Sequence, residues 1–398
     1  MSELGLLLTL EYGEALPAHA RTGSGYPVFG SNGIVGYHES ILVEGPGIVV
    51  GRKGSVGKVV WSDQGFWPID TTYYVRSAGD DLGWIYRVLD WLPLAALDTS
   101  TGVPGLNRND VYRISVFRPA LEEQGKIAQI LDTLDTQIRQ TEALIAKLER
   151  IKQGLLTDLL TRGIDQNGQL RPTPDQAPHL YKDSPLGRIP KEWEVCTVGE
   201  SLEHIIDFRG RTPKKLGMEW GGGDILALSA NNVKMGGIDT SREAYYGSPE
   251  LYAKWMTQGD TKEGDILLTM EAPLGNVAQV PDEKLYIHSQ RVVLLRFRPN
   301  HLLNEFAFWQ LQSQDIQQRM VRRSTGTTAT GIQRAQLVKL NLMIPSVCEQ
   351  VEIDARLRSI DARLAREQEL EYKLVRHANV CTVFGNGNPA MQWYRFRI

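Results

Sequence analysis

The chain has 398 residues, a formal net charge of −3 and a hydrophobic share of 42%, which leaves room for two or three domains with sizeable cores and argues against a disordered chain. Cys196, Cys348 and Cys381 are odd in number and lack paired spacing, so a disulfide framework is not expected and a reducing compartment is. No stretch approaches a spanning segment, and Leu6 to Leu10 is too short and unflanked for a signal peptide, so a cytoplasmic location without membrane contact is expected.

The first region, 1–118, reads as α/β with more strand than helix. Tyr26 to Gly30 is a strand that turns at Ser31-Asn32-Gly33, where Asn and Gly accept positive φ. Ile48 to Val50 and Val59 to Trp61 are β-branched runs, and Phe66 to Val75 is extended with Pro68 at an edge or a strand start. Leu82 to Leu97 predicts an apolar helix interrupted at Pro93. A polar loop over 99–105 follows, and Val111 to Phe117 reads as a strand into Pro119.

From Leu121 to Leu160 the only Gly or Pro residues are Gly125 and Gly154. Ile127, Leu131, Leu134, Ile138, Thr141, Ile145, Leu148, Lys152, Leu155 and Leu159 are spaced alternately by four and three. Such a heptad seam keeps one stripe facing a partner helix. At about 1.5 Å per residue the helix, placed at 119–162, runs roughly 60 Å. The span 163–190 is rich in Pro, Gly, Asp and Gln and reads as a linker.

The region 191–344 repeats the plan, with a strand over Trp193 to Val198, strands at Ile225 to Leu228, Gly264 to Leu268 and within Ile287 to Phe297, and a helix over Asn304 to Met320. The second long helix, 345–378, carries Ile353, Leu357, Ile360 and Leu364 on its seam, followed there by Glu367 and Glu371. Loss of the pattern after Leu374, and Asn386-Gly387-Asn388-Pro389 beyond it, predict a shortened helix and an atypical tail, 379–398. Trp393 to Phe396 reads either as a strand docking elsewhere or as the product of an altered reading frame.

A constant offset lays Pro119 on Pro345, Glu123-Gln124 on Glu349-Gln350, Ile127 on Ile353, Leu131 on Leu357 and Gly105-Leu106 on Gly331-Ile332. Coincidental helix composition does not account for matched Pro and Gly. The period is too long for a solenoid, so the unit duplicated is a globular domain plus a long helix. The first copy has little ahead of Glu11-Tyr12-Gly13 and is expected to lack an edge strand.

No catalytic constellation emerges. Gly51 to Val59 has one residue too many between its outer glycines for a phosphate loop, no Ser or Thr after its lysine, and a strand following it. No zinc pattern, nucleophile elbow or Asn-Pro-Pro-aromatic methyltransferase motif is present, and His288-Ser289 reads as a structural or surface pair. Catalytic and metal residues are therefore none. What the halves share is polar, basic loops after strands. Ser31, Asn32, Arg52, Lys53, Thr101 and Arg108 lie in them in the first half, and Arg209, Arg211, Asn231, Asn232, Arg322, Arg323, Thr327, Thr328 and Arg334 in the second. Arginine binds phosphate or reads guanine with two hydrogen bonds, and Asn reads adenine the same way. The acidic net charge does not oppose this, since acidic helices can mask local basic surfaces.

With the repeat in place, the chain resembles the specificity subunits of type I restriction–modification systems. Pro119 to Gln124 and Pro345 to Gln350 resemble that family's lead-in to each spacer helix, Leu148 to Leu160 with Thr161 and Gly163 its exit, and Asp183 to Trp193 the approach to a recognition domain. Tyr26 to Gly36 and Gly51 to Tyr74 resemble one common type of such domain. The resemblance implies two α/β recognition domains, 1–118 and 191–344, each reading half of a split, asymmetric sequence in double-stranded DNA. It implies two long helices packed as an antiparallel coiled coil whose length sets the half-site spacing. It also implies a non-catalytic role beside two methyltransferase subunits using S-adenosylmethionine and restriction/translocase subunits using ATP and Mg, with no cofactor bound by this chain. The alternative reading is a coiled-coil scaffold with two protein-binding domains.

Overall fold

The computed structural model describes residues 1–98, 104–208, 210–241, 244–288, 291–325 and 330–384, the last six of these by backbone alone. The chain forms two compact units, one of Met1–Leu144 with the second long helix from Glu367 onward, the other of Ile145–Arg366.

The first unit comprises β1 (Ser2–Glu3), β2 (Leu8–Tyr12), β3 (Tyr26–Gly30), β4 (Gly33–His38), β5 (Gly47–Gly51), β6 (Val59–Ser62), β7 (Trp67–Pro68), β8 (Thr72–Ser77), α1 (Leu82–Trp91), α2 (Arg108–Tyr112), β9 (Ser115–Val116) and the start of α3 (Leu121–Thr161). A four-stranded sheet runs β2-β8-β5-β6 and a three-stranded one β4-β3-β7. Alternate residues of the larger sheet (Leu8 and Leu10, Ile48 and Val50, Tyr73 and Val75) pack with Trp84, Ile85 and Leu89 of α1. Val49, on the opposite face of β5, meets Phe29 and Phe66. A strand buried on both faces has to be continuously apolar, which is why Ile48-Val49-Val50 reads as it does.

The second unit contains the rest of α3, then β10 (Tyr181–Ser184), β11 (Gly187–Pro190), β12 (Glu194–Thr197), α4 (Val198–Ser201), β13 (Leu202–Asp207), β14 (Ile225–Leu228), β15 (Val233–Lys234), β16 (Gly237–Ile238), β17 (Tyr245–Gly247), α5 (Pro249–Trp255), β18 (Ile266–Met270), β19 (Leu274–Gln279), β20 (Ile287–His288), β21 (Val292–Phe297), α6 (Asn304–Gln312), α7 (Gln314–Arg322), α8 (Arg334–Leu337), β22 (Asn341–Ile344) and α9 (Val347–Phe384). Its sheets run β13-β21-β18-β19 and β17-β14-β20. In each unit the central strand of the smaller sheet has one antiparallel and one parallel neighbour. The duplication therefore holds at the level of topology.

The shared Pro-x-x-x-Glu-Gln lead-in has a physical reason. Gln124 and Gln350 are buried. Each donates through Nε2 to the carbonyl of its own proline, Pro119 at 3.1 Å and Pro345 at 2.9 Å. Each accepts at Oε1 from a backbone N–H at the start of the domain's helix, Asp81 ahead of α1 and Leu303 ahead of α6, both at 2.8 Å. One side chain thus ties the long helix to the globular domain behind it. Glu349 adds a second anchor: its carboxylate takes Arg171 (2.5 Å), the Trp193 indole N–H (3.0 Å) and the Ile164 amide (2.9 Å).

In the second unit α3 and α9 run antiparallel. Leu156, Leu159 and Leu160 share a core with Ile353 and Leu357, while the earlier Lys152 pairs with the later Asp361 at 2.5 Å. The seam residues Ile127, Leu131, Leu134, Ile138, Ile353, Leu357, Ile360 and Leu364 are each half-buried or buried, with exposed residues between them.

Five expectations are corrected. The first domain has an edge strand after all, the two-residue β1 paired with β9, where the second has four-residue β12 paired with β22. Val111 to Phe117 is not one strand: the Asn107 side chain accepts from the Asn109 amide at 3.0 Å and starts α2, leaving only Ser115–Val116 extended. The span 163–190 is ordered, with β10 and β11 as a hairpin and Ile164, Ala177, Tyr181 and Ile189 buried. Asn304 to Met320 is two helices, because the Ser313 side chain caps the second. Finally α9 continues to Phe384 rather than ending at 378; no Gly or Pro occurs before Gly385. Trp393 to Phe396 lies outside the described residues.

Candidate nucleic-acid interface

At one end of the larger sheet in each unit, two loops meet through the same backbone bonds. In the first unit the amides of Arg52 and Lys53 donate to the Thr71 carbonyl at 2.9 and 3.1 Å, and the Leu106 amide donates to the Arg52 carbonyl at 2.8 Å. In the second, the Met270 amide donates to the Arg291 carbonyl at 2.9 Å and the Ile332 amide to the Met270 carbonyl at 3.0 Å. Lys53 forms a β-bridge with Gly105, and Glu271 one with Gly331. The pairing makes Arg52 equivalent to Met270, Lys53 to Glu271 and Thr71 to Arg291. Arg108 and Arg334, which open α2 and α8, correspond as well. The scaffold is common to both units and the side chains on it differ.

The first unit gathers two cations on an aromatic ring. The guanidinium groups of Arg52 and Arg108 each lie 5.1 Å from the ring centroid of half-exposed Tyr12. Arg52 also donates to the Asp70 carbonyl through Nη2 at 2.5 Å and Nε at 3.2 Å. Stacking of this kind contributes about 0.5–1 kcal/mol at exposed sites and orients the planar groups without neutralising them. Tyr73 lies 5.1 Å from Tyr12. Burial and the neighbouring Tyr12 push its phenol up to about 12, so it stays protonated and donates to the Leu106 carbonyl at 3.0 Å. Asn32, exposed in the β3–β4 turn, accepts from Lys58 Nζ at both its backbone oxygen (2.8 Å) and Oδ1 (2.9 Å); Ser31 is half-buried beside it. Arg52, Lys53 and Arg108 are thus brought together, and Thr101 lies outside the described residues.

In the second unit Arg322, Arg323 and Arg334 are exposed. Arg211 is engaged inside its domain: it donates to the Trp255 carbonyl and to Thr257 Oγ1 (3.1 Å), and it stacks 4.9 Å from the Phe208 ring centroid. Asn231 is exposed, whereas Asn232 is wholly buried, accepting from Ser229 Oγ at 2.8 Å and donating to the Asp239 carbonyl at 3.2 Å. Its side chain holds a turn and is removed from any reading surface. Arg209, Thr327 and Thr328 lie outside the described residues. His288 is fully buried, with neither ring nitrogen hydrogen-bonded among the described residues. Burial pulls its pKa down to about 4, so it is a neutral core residue at ordinary pH.

Sequence reasoning missed Tyr12, Glu271 and Arg291, which pairs with Glu271 at 3.5 Å. For Glu271 the usable signal was the residue three places beyond the run Ile48–Val50 or Ile266–Leu268, once strand register is known. Among the described residues no group of His, Cys, Asp or Glu could hold a metal ion, and no helix is long and apolar enough to cross a membrane.

Comparison with known proteins follows the same division. The family described as type I restriction modification DNA specificity domain matches residues 1–150 and again 190–374. The MjaVIII type I restriction enzyme specificity subunit of Methanocaldococcus jannaschii is 27% identical over 267 residues, 66% of this chain and 58% of the relative. The EcoprrI specificity subunit of Escherichia coli is 28% identical over 156 residues, 37% of this chain and 38% of the relative. The chain spans little more than half the length of the M. jannaschii relatives it matches. A crystal structure of the type I restriction–modification S subunit from M. genitalium has the same fold, with a TM-score of 0.62 at 17% identity over 95% of this chain and 93% of that one. With both copies of its repeat matched, the chain belongs to the type I restriction–modification DNA specificity family.

Proposed function

We propose that this chain is the DNA-specificity subunit of a type I restriction–modification complex and catalyses nothing itself. Its recognition domains, 1–118 and 191–344, would each read one half of a bipartite, asymmetric target in double-stranded DNA. The two long helices, 119–162 and 345–384, would set the half-site spacing and receive two methyltransferase subunits. Restriction/translocase subunits would complete the complex. S-adenosylmethionine, ATP and Mg belong to those partners in this reading.

The observation that carries it is the duplicated loop platform. A common set of backbone bonds holds Arg52 and Lys53 in one unit and Met270 and Glu271 in the other, with Arg108 and Arg334 opening the short helix that follows in each. Phosphate contacts position a protein on the duplex and base contacts specify. A repeated scaffold carrying different side chains suits two differently specified half-sites.

The test is methylome sequencing of a host carrying this chain with its cognate methyltransferase subunit, against a host lacking the chain. Adenine methylation at a split, asymmetric motif is expected. A folded, expressed chain that adds no methylation, or a palindromic motif, would overturn the proposal.

A further inference from the structure

Resting on that reading, we infer that Lys53 and Glu271 are equivalent base-reading positions of opposite hydrogen-bond sense, each specifying a G·C pair in its own half-site. Four observations converge on this pair. Lys53 stands two residues past the end of β5 and Glu271 one past the end of β18, at positions made equivalent by the matched bonds, and both are β-bridged to a glycine of the second loop. Both are exposed. Both follow a residue whose carbonyl accepts from the amide after that glycine, so the backbone under each is fixed while the side chain is left to project. Each lies in a unit whose loop platform also carries the matched arginine, Arg108 or Arg334.

Their chemistry then differs. The Lys53 ammonium makes no hydrogen bond or ion pair among the described residues, and an ammonium donates to the O6 and N7 acceptors of guanine. Glu271 offers only acceptors. A carboxylate facing a duplex is repelled by phosphates, so on a DNA-facing loop it is tolerated where it accepts from a base amine, and in the major groove glutamate pairs with the cytosine N4 amine. Arg291, 3.5 Å from Glu271, offsets part of that repulsion and orients the carboxylate. The phosphate-binding explanation that serves for Lys53 alone therefore fails for its partner position, and base reading covers both.

The test is single-base methylome profiling of the full complex with the variants Lys53→Met, Lys53→Arg and Glu271→Gln, beside the unaltered chain. Lys53→Met is expected to relax one G·C position of one half-site by about tenfold in relative methylation, and Glu271→Gln one G·C position of the other half-site by about as much. Lys53→Arg should keep the guanine, since arginine donates to the same acceptors. Far-ultraviolet circular dichroism of each purified variant confirms that the chain is folded. An unchanged motif in a folded variant, or a uniform fall in methylation with every position still specified, overturns the inference. Absence of any motif with the unaltered chain instead overturns the proposed function, so the two failures are distinguishable.

Discussion

The Tyr12 platform shows how two arginines are kept available rather than consumed. Arg52 and Arg108 share one ring, their hydrogen-bond acceptors are the backbone carbonyls of Asp70 and Leu10, and among the described residues neither charge is cancelled by a carboxylate. If these groups meet phosphates, Arg108→Ala should weaken DNA binding by the cognate complex about tenfold at low salt. It should also reduce the slope of log affinity against log salt by about one, while the motif stays the same. Titration of a labelled duplex at several salt concentrations measures both. His288 supplies a different kind of residue-scale effect. Its folded pKa of about 4 lies below the ordinary value of 6.5, so between those values the unfolded chain binds the extra proton and the folded one does not. Stability should therefore fall as pH drops from about 6.5 towards 4, by roughly 3 kcal/mol in the limit, and be unaffected by this group above neutrality. Asp207, the one charge acting on it among the described residues, opposes the shift. Comparing denaturant unfolding of the chain with that of His288→Leu across this range isolates the contribution, because the carboxylates titrate in both.

At the scale of elements, the long helices are held at their starts. Removing the Gln350 amide strands the Leu303 amide and the Pro345 and His301 carbonyls, all of which it bonds at 2.8–2.9 Å. Gln350→Ala should cost about 2–3 kcal/mol, seen as a lower denaturant midpoint at unchanged slope. Glu349 is a stronger case. Arg171 and Glu349 are less than a tenth exposed, so Glu349→Ala would leave an indole N–H and the Ile164 amide without their acceptor and the guanidinium with Glu192 (2.8 Å) and the Arg162 carbonyl (3.1 Å) alone. A loss of about 3–5 kcal/mol is expected in the same measurement. Gly163 belongs to this anchor: its φ is +61°, and a Cβ there would come within 2.2 Å of Glu349 Oε1. The matched Glu123 is exposed and has no such network among the described residues, so Glu123→Ala should change stability by about 0.5 kcal/mol or less.

At the scale of the whole chain, the net charge of −3 is a poor guide to its partner. The sign that matters is local: the paired loops and the helix starts beside them carry Arg52, Arg108, Arg291 and Arg334, while the long helices mix carboxylates such as Glu122, Glu142 and Glu149 with Lys126, Lys147 and Arg150. DNA binding by the cognate complex should nonetheless fall by at least about tenfold between about 50 and 200 mM salt, as counterions released by phosphate contacts would require. Insensitivity to salt in a filter or anisotropy assay would favour a protein-binding scaffold instead.

Periodicity and repetition are properties of sequence, and what rests on them was legible there. The heptad stripe from Ile127 to Leu159 is the less exposed stripe of α3, and the matched Pro, Glu and Gln residues marked both helix starts. The α/β class and the duplicated domains followed from the same patterns. What depends on which backbone atoms meet across long separations was decided only by tertiary structure. Asn232 and Asn231 are adjacent and alike, yet one is sealed in a turn and the other exposed. The span 163–190 looked like an unstructured linker because its prolines oppose regular structure, but Arg171 and Ile164 order it through Glu349, more than 170 residues away. Lys53 and Glu271 could not be matched by the constant offset of the repeat, since the segments that separate them from the matched Gly105 and Gly331 differ in length. Only the hydrogen bonds from Leu106 and Ile332 put them in register, because strand pairing is blind to the length of the loops it spans.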